Sequence, residues 1–421
     1  MTAPTADQTR DELRAWLEAN WDLELSLLEW RSRLADSGWG CPTWPTEWYG
    51  RGLPPAIAEV VVAELDRVGA VGTPAGSGIG LAAPTILEHG SDDLKARLLR
   101  PIVTGEHTWC QLFSEPGSGS DLAGLTTRAE RDGDEWVISG QKVWNTSAHH
   151  AQFGMLLART DWDVPKHRGI TYFAVEMQQP GVEVRPLRQM NGHASFNEVW
   201  FDEARVAAAN VVGEVGNGWA AALATLAHER RFNPAPRALS SVGGASKRSS
   251  RAHREAAAET VEHYEPYKWY PQRAGRVDLV PVRAKATGAV DDPRIRNDIA
   301  RLTELVRVSQ WTAQRARAAR ALGRPPGPEG SLGKLGSSDI ARAAARLHGR
   351  IAGAHGMLRG DDDGTGGVVA EVLVSVPAVS IAGGTDEIQR NILGERILGL
   401  PKEPQVDRDL PFRDVPRNAG R

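Results

Sequence analysis

The chain has 421 residues, 41% of them hydrophobic and 24% charged, with a formal net charge of -3. That is long enough for two or three structural units around a substantial core, and the near-neutral charge gives no electrostatic footing for nucleic acid or an anionic membrane as partner. Cys41 and Cys110 are too few for a disulfide framework and lack metal-ligand spacing, and no apolar run could span a bilayer. Residues Met1 to Asp7 carry neither the basic nor the apolar stretch of a secretory leader, so a cytoplasmic location is expected.

From Thr9 to about Thr104 the apolar spacing is helical: Leu13, Trp16 and Leu17 recur at i, i+3, i+4, and Val61, Val62, Leu65 and Val68 repeat the pattern. Ser91-Asp92-Asp93 before Leu94 reads as a helix start, with Pro101 expected to limit that helix. The segment Cys41 to Gly50 reads as a turn-rich linker. The period then changes. Trp136–Ile138, Phe153–Leu157, Ile170–Val175, Val182–Val184 and Val199–Phe201 are short β-branched or aromatic runs set apart by Gly, Asp and Pro, which predicts an antiparallel β domain. Helical spacing resumes at Gly218, with long helices expected from Asp291 (stripe Ile295, Ile299, Leu302, Val306), over Ser337–Ile351 and over Thr385–Leu398.

Between Asn233 and Val290 aliphatic residues are few and Ser, Gly and Arg many, so an insertion or extended loop is expected there. Its basic and aromatic residues (Lys247, Arg248, Arg251, Arg254, Tyr264 to Tyr270) admit two readings, a hold on phosphates or a disordered surface loop. The polar tail after Pro401 is expected to be mobile. The resulting fold class is α+β: an N-terminal helical domain (1–106), a middle antiparallel β domain (107–212), a C-terminal helical bundle (213–400, insertion at about 234–290) and a tail (401–421).

The chemistry concentrates in Cys110 to Asp121 and Gly140 to Thr146. Gly117 and Gly119 let a ligand approach the backbone, while Ser114, Ser118, Ser120 and Thr146 offer hydroxyls that both donate and accept. Trp144 adds a flat face. The set suits a planar, polar-edged ring with a phosphate tail, as a flavin nucleotide has. Taken alone, the loop could be an ordinary hairpin turn and Trp144 a core residue.

Four motifs in order, Phe113-Ser-Glu-Pro-Gly-Ser-Gly-Ser-Asp121, Gly140-Gln-Lys-Val-Trp-Asn-Thr146, Gly213-Glu-Val-Gly-Asn-Gly-Trp219 and Ile381-Ala-Gly-Gly-Thr-Asp-Glu-Ile-Gln-Arg-Asn391, resemble the acyl-CoA dehydrogenase family over roughly 35–233 and 291–400. Gly394 to Pro401 has the style of its actinobacterial branches. The resemblance implies FAD as cofactor, an acyl-CoA thioester as substrate and an electron-transfer flavoprotein as acceptor. It places Gln111, Phe113, Ser114, Gly119, Ser120, Trp144 and Thr146 around the flavin, with Ser120 also near the acyl-CoA, and Thr385 and Glu387 at positions that reach FAD across a subunit interface.

The reaction so implied removes an α-proton to a carboxylate while a hydride leaves the β-carbon. Much of the family holds that carboxylate immediately before Gly-Thr in the last motif, where this chain has Gly383. Isovaleryl-CoA and long-chain members instead carry it on the helix after the β domain, directly before an Arg; here that position is Glu229, followed by Arg230. Glu229 is therefore the candidate base. Gly383 keeps a backbone N–H for the thioester oxygen, a donor typically worth about 3 kcal/mol in the transition state. An empty side chain at 383 suits a branched or bulky acyl group. Arg230 would orient the CoA portion or form a surface salt bridge, and His149, His150 and His228 are expected to be ordinary polar residues.

Two departures bear on assembly. The Arg-x-x-Phe-Gly motif of homotetrameric members is missing from this sequence, and the Gln-x-x-Gly-Gly segment reads Arg350-Ile-Ala-Gly-Ala-His-Gly356. The resemblance leaves open a homo-oligomer or an α2β2 hetero-oligomer with a second acyl-CoA dehydrogenase subunit. Alternatives are a non-catalytic or half-site subunit of such an assembly and a flavin monooxygenase on the same fold.

Overall fold

A computed structural model describes residues 4–229, 250–322, 324, 327–358, 360, 367–405 and 407–416. Helices α1 (Ala6–Asn20), α2 (Leu27–Ser37), α3 (Pro55–Val68), α4 (Ala83–His89) and α5 (Asp92–Thr104) come first. Capping boxes, Thr5 with Gln8 and Ser26 with Glu29, start α1 and α2 by satisfying backbone donors that a helix end leaves open. Leu13, Leu17, Trp30, Leu34, Val61 and Leu65 form their shared core. Ser91 caps α5 as its sequence suggests, but Pro101 does not stop it; the helix runs on to Thr104 and ends at Gly105, φ 88°. Proline already has a helical φ and forfeits one hydrogen bond near a C-terminus, a loss that the burial of Ile102 and Val103 offsets.

Seven strands form one sheet: β1 (Trp109–Leu112), β2 (Arg128–Asp132), β3 (Glu135–Thr146), β4 (Phe153–Arg159), β5 (Ile170–Glu176), β6 (Val182–Leu187) and β7 (Phe196–Ala207). The pairs β2–β3, β3–β7, β6–β7 and β4–β5 are antiparallel, whereas β1 runs parallel to β4. The alternation of side chains makes two cores. Trp109, Phe113, Met155, Leu157, Tyr172 and Ala174 face the helices, against Ile86, Leu98 and Ile102, and Cys110, Leu112, Leu156, Ala158, Phe173 and Val175 face Ile138, Val199 and Phe201. Strands β1 and β2 are the ones the apolar pattern does not announce, since β1 is short and β2 reads Arg-Ala-Glu-Arg-Asp, with Ala129 alone buried.

Helix α6 (Gly218–Glu229) leaves the sheet along a fixed path. A Cβ on Gly218 would stand 2.5 Å from the Tyr172 nitrogen, so the helix starts hard against β5. Further along, the buried Thr225 hydroxyl meets those of Thr85 (2.8 Å) and Tyr172 (3.2 Å), locking α6 to α4 and β5.

The sequence reading of 234–290 as loop needs correction. Residues 234–249 lie outside the described residues, but α7 (Arg251–Tyr264) and α8 (Leu279–Ala286) follow, with a short helical turn at Tyr270–Arg273. Alanines supply the helix propensity that missing aliphatics seemed to deny: Ala252 and Ala284 are fully buried, as is Trp269 at 1% exposure. Helix α7 docks on the N-terminal helices through Arg31–Glu259 (2.6 Å) and a Glu255 carboxylate accepting from Leu27 N–H (2.7 Å).

The described residues fall in two compact units, the first within Met1–Leu187, Ala194–Pro266 and Val406–Arg421, the second Arg188–His193 and Tyr267–Gln405. In the second, α9 (Pro293–Ala321) packs against α10 (Glu329–Ala352), followed by α11 (Val368–Ser375) and α12 (Asp386–Arg396). Arg350 forms an ion pair with Asp298, tying α10 to α9. Among the described residues no helix is long and apolar enough to cross a membrane.

The tail is a second correction. Lys166 pairs with Asp407 (3.0 Å), Phe412 N–H donates to the Val164 carbonyl (2.9 Å), and the Phe412 ring lies 3.3 Å from the guanidinium carbon of Arg159. A single buried aromatic outweighs the polar composition around it. Phe412→Ala is expected to undock residues 407–416, at a cost of roughly 3 kcal/mol to that local equilibrium. Hydrogen exchange and limited proteolysis confined to this segment would measure it.

Candidate active site

Strand β1 feeds directly into the Gly/Ser loop. Glu115 and Ser118 exchange backbone hydrogen bonds (2.9 and 3.0 Å) across Pro116-Gly117, so a tight turn does stand here. Its shape is set from below. The buried Glu115 carboxylate accepts from Thr126 N–H (2.7 Å), the Thr126 hydroxyl (2.9 Å), Thr127 N–H (2.8 Å) and Lys142 Nζ (2.9 Å). Lys142, fully buried on β3, also donates to the Phe113 carbonyl (3.0 Å), and Val143 N–H donates to the Ser114 carbonyl (2.9 Å). The backbone on both sides of Ser114 is thus gripped by β3. Sequence reasoning missed this pair. The available signal was a lysine at an inward position of β3, two residues past Gly140 in a strand whose Trp136 and Ile138 are buried.

Burial drives the Glu115 carboxyl upward, but Lys142 and the Thr126 and Thr127 donors prevail and hold it down, to about 2. Ser118 turns inward, its hydroxyl donating to the carbonyls of Asp121 (2.6 Å) and Leu122 (3.2 Å), and so staples the loop rather than facing a ligand. The Phe113 ring is buried against Tyr172 (centroids 5.8 Å apart), so its backbone is the part on the loop side. Gly119 and Ser120 are exposed, Ser114 and Thr146 half-buried, and a Cβ on Gly117 or Gly119 would meet nothing within 4 Å.

Trp144 stands at an irregularity in β3, where the register with β7 shifts between Val143 and Asn145. Its φ is 66°, a left-handed backbone that bulky residues rarely adopt, and its indole is 60% exposed with one edge against Phe196 (5.9 Å). Core packing is therefore not its role. The bulge is anchored by the Asn145 amide, donating to the Gln111 carbonyl (2.7 Å), and by the Asn197 amide, donating to the Asn145 carbonyl (2.8 Å).

Glu229 ends α6, half-buried, and accepts a hydrogen bond from Gln111 Nε2 (3.2 Å). On the preceding residue His228 contacts Glu88 of α4 (2.8 Å). Arg230 lies outside the described residues. The rings of His149 and His150 lie tilted against each other (centroids 3.9 Å apart), with His150 also near Glu262 (3.3 Å). No group of His, Cys, Asp and Glu among the described residues could hold a metal.

In the second unit, Gly383 and Gly384 have φ of 69° and 83°. The Gly383 carbonyl accepts from the Gln389 amide (2.9 Å), which fixes the peptide's orientation. Thr385 caps α12, accepting from Ile388 N–H, while Glu387 is exposed. Asp386 between them is buried and held by Lys334 (2.6 Å), Ser338 (2.8 Å) and Arg342 (3.0 Å).

These residues fit FAD. An exposed indole on a left-handed bulge beside a loop of open glycines and an exposed Ser120 can face a flat ring and a pyrophosphate, and the loop holds that shape by its own buried ion pair. A helical, β, helical chain with such a surface belongs to the flavin-dependent dehydrogenase class. Profiles of the acyl-CoA dehydrogenase N-terminal, middle and C-terminal domains match residues 4–106, 110–204 and 279–398. The chain is 35% identical over 420 residues to acyl-CoA dehydrogenase IpdE1 of Mycobacterium tuberculosis, covering 94% of this chain and 98% of that one. Among solved structures it resembles the ChsE4-ChsE5 complex from Mycobacterium tuberculosis (26% identity, TM-score 0.64, 96% and 99% coverage). It also resembles a variant of the Tcur3481-Tcur3483 steroid ACAD (25%, 0.64, 94% and 99%). The chain belongs to the acyl-CoA dehydrogenase family, and as such is an oxidoreductase that uses FAD to dehydrogenate the CH–CH bond of an acyl-CoA.

A carboxyl held below its free value of about 4.3 contributes its full stabilisation above that value and loses it as pH falls toward the folded value of about 2. FAD retention is expected to be steady at neutral pH and to fail across that window. Glu115→Gln should bind FAD more weakly at pH 7 and lose this acid dependence, as flavin fluorescence against pH will show.

Proposed function

We propose that Glu229 is the base that takes the α-proton of the acyl-CoA thioester. The observation that carries this reading is a half-buried carboxylate closing α6, oriented by an amide from the strand that leads into the flavin loop. A carboxylate so placed can receive the proton from Cα, while bound FAD supplies the acceptor for the hydride leaving Cβ and a trans-2-enoyl-CoA results. Ser114, Gly119, Ser120, Trp144 and Thr146, with the backbone of Gln111 and Phe113, would hold the flavin, and Thr385 and Glu387 would be further contacts; Ser120 and Arg230 would meet the substrate. The Gly383 N–H would hydrogen-bond the thioester oxygen, whose developing charge it stabilises. Glycine at 383, in place of the family's larger side chain, supports a branched or bulky acyl group.

We further propose that the chain works in an α2β2 assembly with a second acyl-CoA dehydrogenase subunit and passes its electrons to an electron-transfer flavoprotein. Support comes from Arg350, committed to Asp298 where the family pattern has a glutamine, and from the likeness to the ChsE4-ChsE5 complex. Purified alone and with a candidate partner, the chain is expected to gain stoichiometric FAD absorbance only in the mixture; a yellow homo-oligomer would favour the simpler assembly.

Glu229→Gln is expected to keep FAD but slow its reduction by acyl-CoA at least about 10³-fold. Stopped-flow bleaching at 450 nm under anaerobic conditions reads this directly, and an undiminished rate would remove Glu229 as base.

A further inference from the structure

Position 111 does a task that the flavin motif does not explain. Side chains alternate along β1, so Trp109, Gln111 and Phe113 point to the helical face while Cys110 and Leu112 point away. On α6 the residues facing that same core are Ala221, Ala222 and Thr225, and Glu229 follows Ala222 by seven residues and Thr225 by four. The two periods meet at one point. There Gln111 Nε2 donates to Glu229 Oε2 at 3.2 Å.

We infer that the Gln111 side chain is a positioning group for the candidate base, holding the Glu229 carboxylate by its amide. The inference rests on the proposed role of Glu229. Three observations give it substance. The Gln111 backbone is pinned at the other end, its carbonyl accepting from Asn145 (2.7 Å), the residue next to Trp144 in the bulge. Gln111 therefore spans from the flavin-facing surface to the base, and a shift in one is felt by the other. Its side chain is half-buried, so water competes only partly for the contact. And a primary amide is the donor type that chemistry at this point requires. It directs one carboxylate lone pair without adding a positive charge that would sit beside Glu229 and blunt its basicity, as lysine or arginine would.

Misplacing a reacting group by about 1 Å costs on the order of 10²-fold in rate. Gln111→Met, close in volume but without the donor, is therefore expected to slow flavin reduction at saturating acyl-CoA by about 10- to 100-fold. FAD affinity and the apparent acyl-CoA dissociation constant should stay within about threefold. The kinetic isotope effect with α-deuterated acyl-CoA should rise, because proton abstraction becomes more rate-limiting; a merely structural role would not move it. Gln111→Asn, one methylene short of Glu229, should behave like Gln111→Met. In the Glu229→Gln background Gln111→Met should add little, since coupled residues act as one unit.

The failures separate cleanly. Loss of FAD in Gln111→Met with an unchanged isotope effect would make Gln111 a cofactor ligand and overturn the inference. An unchanged rate in Gln111→Met beside an inactive Glu229→Gln would also overturn it while leaving the base in place. Full activity in Glu229→Gln would sink the base, and with it any role for Gln111 through that residue.

Discussion

A full positive charge sealed from solvent is the constraint around which the site is built. Lys142 has no exposure at all, and an ammonium so placed is tolerable only because the Glu115 carboxylate and the Phe113 carbonyl surround it. Glu115 in turn draws two backbone N–H groups of the chain just before β2. One ion pair therefore joins three segments distant in sequence: the end of β1, the approach to β2 and the middle of β3. The Ser114 backbone and the bulge at Trp144 both hang from those segments. Such a pair adds little net stability compared with a well-packed apolar one, but it admits only one arrangement of its neighbours.

Much of the architecture was legible because it rests on periodicity. The strands around Ile138, Leu156, Phe173 and Val199 and the helices through Leu302 and Ala344 bury side chains where their sequence announces them, and Val184 is partly buried. What escaped is equally instructive. The stretch from Ser250 to Val290 buries alanines and a tryptophan, so a count of aliphatic residues reads as loop what is largely helix. Phe412 makes an anchor from one residue in a polar tail, which no periodic pattern can reveal. Pro101 sits inside its helix because one missing hydrogen bond weighs less than the apolar residues that follow.

The site was legible unevenly for a related reason. Gly117, Gly119 and Trp144 declare themselves by residue type, since glycines and an aromatic near a turn have few other uses together. The left-handed backbone of Trp144, the inward turn of the Ser118 hydroxyl and the core position of the Phe113 ring depend on three-dimensional register, and residue type alone pointed all three the other way or left them open. The contact between Gln111 and Glu229 joins residues 118 positions apart. It follows from two different periods, two for the strand and 3.6 for the helix, and becomes visible only when the strand and helix are packed.

The backbone at Gly383 limits which residue can stand there. With φ of 69°, and 83° at the next residue, the segment follows a path that an L-amino acid with a side chain enters only at about 1–2 kcal/mol. A glutamate placed there would have to bend the chain before it could reach a substrate, and the Gln389 amide resists that bend. With the base on α6 as proposed, a Gly383→Glu change alone would not supply a second acid there without rebuilding the local backbone.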